Sequence, residues 1–227
     1  MANKRRGPAK TKGSKTEKSR GPSLFHEEAL HARGIRPVAG VDEAGRGPLA
    51  GPVVVAAVIL PEGFSLVGLD DSKKLSHQQR EELYLQLAEN REVFYAIAEA
   101  SSEEIGQLNI LKATHLAMGR ALDELKKIGH PATHALVDGL PAKGLPIEQT
   151  ALVGGDGLSL SIAAASILAK VTRDRIMDEL DREFPQYGFA RHRGYATADH
   201  LAMLREHGPC PHHRRGFAPV DQPTFGF

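Results

Sequence analysis

The sequence predicts an α/β fold, a mixed sheet of five strands covered by helices in one domain, and three observations lead to it. Short apolar segments rich in β-branched residues recur between Pro37 and Val153, none longer than eight residues. The first three follow one another in hairpin-like succession, and the last two are set apart by helices. A balance of 41% hydrophobic and 25% charged residues is that of an ordinary globular chain, which excludes fibrous, collagenous and wholly disordered classes.

Taken in order, Val38 to Glu43 is a short strand broken by Gly45-Arg46-Gly47-Pro48. Val53 to Leu60 is a buried second strand ended by Pro61, and the two can pair as a hairpin. Ser76 N-caps a helix running to about Asn90, with Gln79 completing a capping box. Val93 to Ala100 is a third strand, Ser102 caps a short helix, and a longer amphipathic helix spans about Ile110 to Lys127 before Gly129 stops it. His134 to Val137 and Thr150 to Val153 are the fourth and fifth strands, ending at Asp138-Gly139 and Gly154-Gly155-Asp156. A long helix, roughly Leu160 to Phe184, opens on the small residues Ser161 to Ser166, which let its backbone approach a sheet closely. Its stripe of Leu168, Val171, Ile176 and Leu180 has helical spacing and belongs to the core. A last helix, about Thr197 to His207, leads into Gly208-Pro209-Cys210-Pro211 and an irregular tail.

The net charge of +1 conceals an asymmetry. Residues 1–22 hold eight of the 29 Lys and Arg and one of the 28 acids, a net +7, which leaves −6 on residues 23–227. With almost no apolar residue to offset its ordering entropy, the arm is expected to be a disordered basic tail, and the folded domain to begin at residue 23. The arm is either a sequence-blind tether to phosphates or a solvated terminus without a role. One cysteine, Cys210, allows no internal disulfide and fits a reducing compartment. The longest apolar run is far short of the roughly 20 residues that cross a bilayer, and no apolar signal stretch follows the basic start of the chain. A cytoplasmic monomer with no membrane contact is expected.

Three strands run into acids, at Val41-Asp42-Glu43, Val137-Asp138-Gly139 and Gly155-Asp156. In open α/β sheets ligands sit beyond strand ends where the strand order changes, so acids on neighbouring strands can converge on one pocket. Converging carboxylates repel unless a hard divalent cation neutralises them, and Mg²⁺ or Mn²⁺ prefers oxygen ligands of this kind. Such an ion completes its shell with water and phosphate oxygens, and two of them roughly 3.5–4 Å apart can activate a water and stabilise the leaving oxygen of a phosphodiester. Adjacent residues of a strand face opposite ways, so Asp42 and Glu43 share a pocket only if the strand bends there, for which Gly45 and Gly47 offer a reason. Spacing alone is equally met by acids that merely cap their turns.

The surrounding residues decide between these readings. Gly40-Val41-Asp42-Glu43-Ala44-Gly45-Arg46-Gly47-Pro48-Leu49-Ala50-Gly51-Pro52 closely resembles the opening signature of ribonuclease HII, the endonuclease that cuts RNA within RNA–DNA duplexes. Asp71-Ser72-Lys73-Lys74-Leu75, Val137-Asp138-Gly139, Gly155-Asp156, the run Ser161 to Asp174, Gly194-Tyr195-Ala196-Thr197 and the stretch from Gly208-Pro209 to Phe217-Ala218-Pro219 resemble that family's further blocks, in its order. The resemblance covers roughly residues 37–220.

It implies a ribonuclease H-like fold, with the family's Mg²⁺- or Mn²⁺-binding catalytic acids falling on Asp42, Glu43, Asp138 and, more loosely engaged, Asp156. Gly45, Arg46 and Gly47 match the loop that approaches the ribose, and Tyr195 matches the tyrosine that stacks near the sugar where RNA passes to DNA. Only the 2′-hydroxyl distinguishes RNA from DNA at a nucleotide, and glycine amides can come close enough to read it. Lys73 matches a backbone-phosphate contact, although a loop lysine in water would look the same. The implied reaction is two-metal hydrolysis on the 5′ side of a ribonucleotide embedded in duplex DNA, or within RNA–DNA hybrids, leaving 3′-hydroxyl and 5′-phosphate ends. The extra amino-terminal domain of the related ribonuclease HIII has no counterpart here, which favours HII.

Other readings are weaker. Gly45 to Gly51 fails as a dinucleotide-binding motif because its third glycine is one residue late and a strand follows. His207, Cys210, His212 and His213 make a poor zinc set, interrupted by two prolines. No serine lies in a nucleophile elbow, and Ser166 is expected to serve close packing. The best rival class is a non-catalytic nucleic-acid binder using the basic arm and Arg214-Arg215.

Overall fold

The computed structural model describes residues 21–70 and 72–221. The expected tail over residues 1–22 lies, apart from Gly21 and Pro22, outside the described residues.

Five strands form one sheet: β1 (Val38–Ala44), β2 (Val53–Ile59), β3 (Phe94–Ala100), β4 (His134–Asp138) and β5 (Glu148–Leu152). Their order is β3-β2-β1-β4-β5, with β2 antiparallel to β1 and β3, and β4 parallel to β1 and β5. The sheet is therefore mixed, and the hairpin expected between its first two strands is present. Around it lie α1 (Phe25–His31), α2 (His77–Glu89), α3 (Ser102–Leu108), α4 (Ile110–Lys127), α5 (Leu160–Glu183), α6 (Phe189–His192), α7 (Ala198–His207) and α8 (Ala218–Asp221).

Alternation along the strands divides the core into two layers. Val41, Val55 and Val137 pack with Ala117, Ala121 and Leu125 of α4, while Ala56 and Val58 pack with Ala164, Leu168 and Val171 of α5 and Leu83 and Leu87 of α2. The small residues that open α5 act as expected. A β-carbon placed on Gly40 would stand 2.2 Å from the Ser161 carbonyl carbon, so the helix backbone rests directly on β1. The start of α5 is held by its own cap, Ser159, and by Glu27 of α1, whose Oε1 accepts from the hydroxyls of Ser159 and Ser161 at 2.6 Å and from the Ser161 amide at 3.0 Å. A carboxylate there suits the positive end of the helix.

Several boundaries differ from expectation for identifiable reasons. Ser101, not Ser102, caps α3, because Glu104 stands three residues after Ser101 and returns the bond to its amide. Ser102 instead donates to the His212 carbonyl at 2.7 Å. The fifth strand begins at Glu148, earlier than Thr150, since Gln149 is fastened by its side-chain amide to the backbone of Ala142 at 2.9 and 2.6 Å. The helices α1, α6 and α8 were not foreseen; at seven, four and four residues they are too short for periodicity to show. Among the described residues no helix is long and apolar enough to cross a membrane.

The contact at Gly40 makes a prediction. In Gly40→Ala the added carbon meets backbone, which cannot rotate aside, so urea denaturation should show a lower midpoint with an unchanged slope, a loss of about 3 kcal/mol.

Candidate active site

The site is built on the turn that follows β1. At Gly45 the backbone takes φ 97°, and a β-carbon would stand 1.9 Å from Arg173 Nε, so both conformation and space demand glycine. Arg173 and Arg214 are almost wholly buried beneath this turn. Arg173 donates to the carbonyls of Pro52 (3.0 Å), Ala50 (3.1 Å) and Arg193 (3.1 Å). Arg214 donates to those of Gly45 (2.6 Å), Arg46 (3.1 Å), Pro48 (2.8 Å), Gly51 (2.8 Å) and Pro52 (3.0 Å). Burial pulls the two guanidinium groups down to about 10 and about 9 respectively, and both still carry charge at neutral pH. Arg214 thus has no surface to offer a nucleic acid, which removes half of the Arg214-Arg215 pair from the binder reading.

Asp42, Glu43, Gly45, Lys73 and Tyr195 border one cleft of about 150 Å³, together with Ser72, Ser166, Lys170 and Arg173. The expected bend at Asp42 and Glu43 is absent: β1 pairs residue for residue with β2 through Ala44 opposite Val54. Asp42, opposite Ala56, belongs to the α5 face, and Glu43, opposite Val55, to the α4 face. Both nevertheless reach the cleft because β1 outruns its other neighbour, whose pairing with it ends at Val137 opposite Val41. The glycine irregularity comes one step later, in the turn.

Asp138 closes β4, and its Oδ1 accepts the Gly155 amide at 2.7 Å. That bond ties down the 3₁₀ turn Gly155–Gly157, on which Asp156 is buried with its Oδ2 3.1 Å from Lys73 Nζ. Asp42 is 4% exposed. Burial pushes its carboxyl well above the usual range, the negative charges of Glu43 and Asp138 push it further, and the Ser166 hydroxyl and Glu43 amide oppose them. Glu43 is raised by burial and by Asp138 against the pull of Arg46, whose Nη1 lies 3.4 Å from its Oε1. The donor set is all oxygen, and neighbouring anions add to burial in raising Asp42 and Glu43, which fits a hard divalent cation. Among the described residues no three such side chains already close on a single point.

On the open side of the cleft, Tyr195 is half-exposed and lies beside Gly47, where a β-carbon would be 3.4 Å from its ring. Lys73 reaches out from the 3₁₀ turn Ser72–Lys74. Every predicted site residue therefore stands at this end of the sheet. What sequence reasoning missed lies underneath. Ser166 does more than pack, since it meets Ser72 Oγ at 2.9 Å and bears on Asp42. Ser166, Lys170 and Arg173 stand at i, i+4 and i+7 on α5, one polar stripe on a buried helix, and that spacing was the available signal.

A charged carboxylate whose folded pKa is raised opposes folding at neutral pH, and the opposition fades as the pH falls and the group takes up its proton. In chelator at pH 7, Asp42→Asn should therefore melt higher than the parent chain, by about 2–4 °C for each ~1 kcal/mol relieved, and the gain should shrink on acidification.

Comparison with known proteins gives the family and the fold. A family profile described as Ribonuclease HII matches residues 39–220. A protein named Ribonuclease HII from Desulfitobacterium hafniense is 53% identical over 199 residues, 88% of this chain and 75% of its own length. Another of that name from Burkholderia pseudomallei is 58% identical over 183 residues, 81% of this chain and 84% of its own. Among solved structures, ribonuclease H2 from Pyrococcus horikoshii superposes with a TM-score of 0.67 at 27% identity, covering 82% of this chain and 96% of that one. RNase HII from Archaeoglobus fulgidus, solved in a complex with PCNA, gives 0.66 at 28%, covering 79% and 93%. A cleft of strand-end acids on a mixed five-stranded sheet, matched along most of its sequence, shows that the chain belongs to the ribonuclease HII family of metal-dependent endonucleases.

Proposed function

We propose that this protein hydrolyses the RNA strand of RNA–DNA hybrids and incises duplex DNA on the 5′ side of single embedded ribonucleotides, leaving 3′-hydroxyl and 5′-phosphate ends. The observation that carries the reading is the gathering of Asp42, Glu43 and Asp138 at one sheet end, close enough that Asp138 raises the carboxyls of both Asp42 and Glu43, beside a glycine turn and an exposed tyrosine. Asp42, Glu43 and Asp138 would hold Mg²⁺ or Mn²⁺, with Asp156 the looser partner because Lys73 already engages it. Two such ions, when bound, supply an activated water and charge stabilisation at the leaving oxygen.

The chain's own residues do the rest. Ser166 steadies the Asp42 carboxylate, and the Gly155 amide fixes that of Asp138. Gly45, Arg46 and Gly47 present main-chain groups to the ribose, where the 2′-hydroxyl is the one feature that marks RNA. Tyr195 stacks on the sugar at the junction, and Lys73 contacts a backbone phosphate, positioning without specifying sequence. We assign catalysis to residues 23–227 of a cytoplasmic monomer.

The test is cleavage of a labelled DNA duplex carrying one ribonucleotide, in Mg²⁺, Mn²⁺ or chelator, with the cut mapped on a gel. A metal-dependent cut 5′ to the ribonucleotide is expected. Asp138→Asn should lower the rate about a thousandfold while duplex affinity changes little; near-parental cleavage by this variant, or no cut with either metal, overturns the reading.

A further inference from the structure

Beneath Tyr195 lie two buried imidazoles that the chemistry above does not use. The Tyr195 carbonyl is 2.8 Å from His200 Nδ1, His200 Nε2 is 3.0 Å from His213 Nε2, and His213 Nδ1 is 3.0 Å from the Cys210 amide nitrogen. Both ends of this chain are backbone groups with fixed roles, since the Cys210 amide can only donate and the Tyr195 carbonyl can only accept. The roles between them follow. His213 Nδ1 accepts from the amide, so its proton sits on Nε2 and is donated to His200 Nε2, which leaves His200 its proton on Nδ1 for the Tyr195 carbonyl. The chain closes with one proton on each ring. A second proton on either ring would set N–H against N–H at one link. Burial drives His213 down to about 4 and holds His200 below its usual value, so both are neutral at neutral pH.

The relay bears on the turn after β1 as well. The Gly194 carbonyl accepts the Leu49 amide at 2.8 Å, and the Gly194 amide lies 3.2 Å from Nδ1 of His192, which stacks on His200. The Tyr195 amide donates to the His192 carbonyl at 2.9 Å, so the peptide between Gly194 and Tyr195 is pinned at both its groups, and the Tyr195 ring standing against Gly47 inherits that placement.

We propose that His200 and His213 are positioning residues for Tyr195, a two-imidazole relay that fixes its main chain and so sets where its ring meets the sugar. The proposal rests on the sugar-stacking role of Tyr195 given above, and the experiment separates the two.

In the full chain, nitrogen-15 imidazole spectra at neutral pH should show the Nδ1–H tautomer for His200 and the Nε2–H tautomer for His213. Any other pair of forms overturns the relay, and this reading needs no variant to fold. On the duplex with one ribonucleotide, His200→Ala should raise KM about fivefold with little change in kcat. His200→Asn, which keeps a donor at the δ position, should restore most of it. In a Tyr195→Ala background, His200→Ala should add no further rise in KM; an equal rise in both backgrounds means the histidine acts elsewhere and overturns the proposal. If Tyr195→Ala alone leaves KM unchanged, the stacking role fails. The positioning claim is then judged by the Tyr195 ring signals, traceable among only four tyrosines, which must shift in His200→Asn or His200→Ala.

Discussion

Two buried guanidinium groups hold the active-site turn in shape. Between them, Arg173 and Arg214 take up the carbonyls of residues 45, 46, 48, 50, 51 and 52, six of the eight from Gly45 to Pro52. A turn with so many carbonyls aimed inward would be severely destabilising without donors, and the planar, multi-donor arginine fork meets several at once where lysine cannot. The same packing explains Gly45, which has to let Arg173 pass. Arg173 also reaches the Arg193 carbonyl, so the segment carrying Tyr195 is fastened to the same anchor. Loop and tyrosine are thereby one assembly.

In front of the arginines stand the acids. Burial raises both Asp42 and Glu43, the charges of Glu43 and Asp138 add to the first and that of Asp138 to the second, while Asp156 is partnered by Lys73. A fold selected only for stability would not gather acids there. Their cost at neutral pH is the counterpart of their usefulness, since a divalent cation and a phosphate together restore neutrality. The cations beneath hold the frame, and the anions above remain available to a metal.

Much of this was legible in the sequence because it rests on short-range rules. Apolar runs bounded by Gly and Pro located all five strands, the box of Ser76 and Gln79 marked α2, and acids at the ends of two parallel neighbours, β1 and β4, pointed to one pocket. The bend expected at Asp42 and Glu43 was wrong because the face rule assumes a strand with neighbours on both sides, and β1 runs past β4. Arg173 was hidden because an arginine on a helix ordinarily reads as surface, and its burial depends on carbonyls more than a hundred residues away. The role of Ser166 was obscured likewise, since its partner Ser72 is distant in sequence. The relay of His200 and His213 joins two segments of the carboxy-terminal region through a contact that no spacing rule anticipates.

The division of labour between anions and guanidinium groups can be tested directly by the melting midpoint with and without Mn²⁺ for the parent chain, Asp138→Asn and Arg214→Lys. The parent should rise with metal, as ligand binding to the folded state requires. Arg214→Lys should start lower yet keep the metal-induced rise, because the acids stand on strands that the arginine does not hold. Asp138→Asn should lose most of the rise. An undiminished rise in Asp138→Asn, or its disappearance in a folded Arg214→Lys chain, would contradict the account.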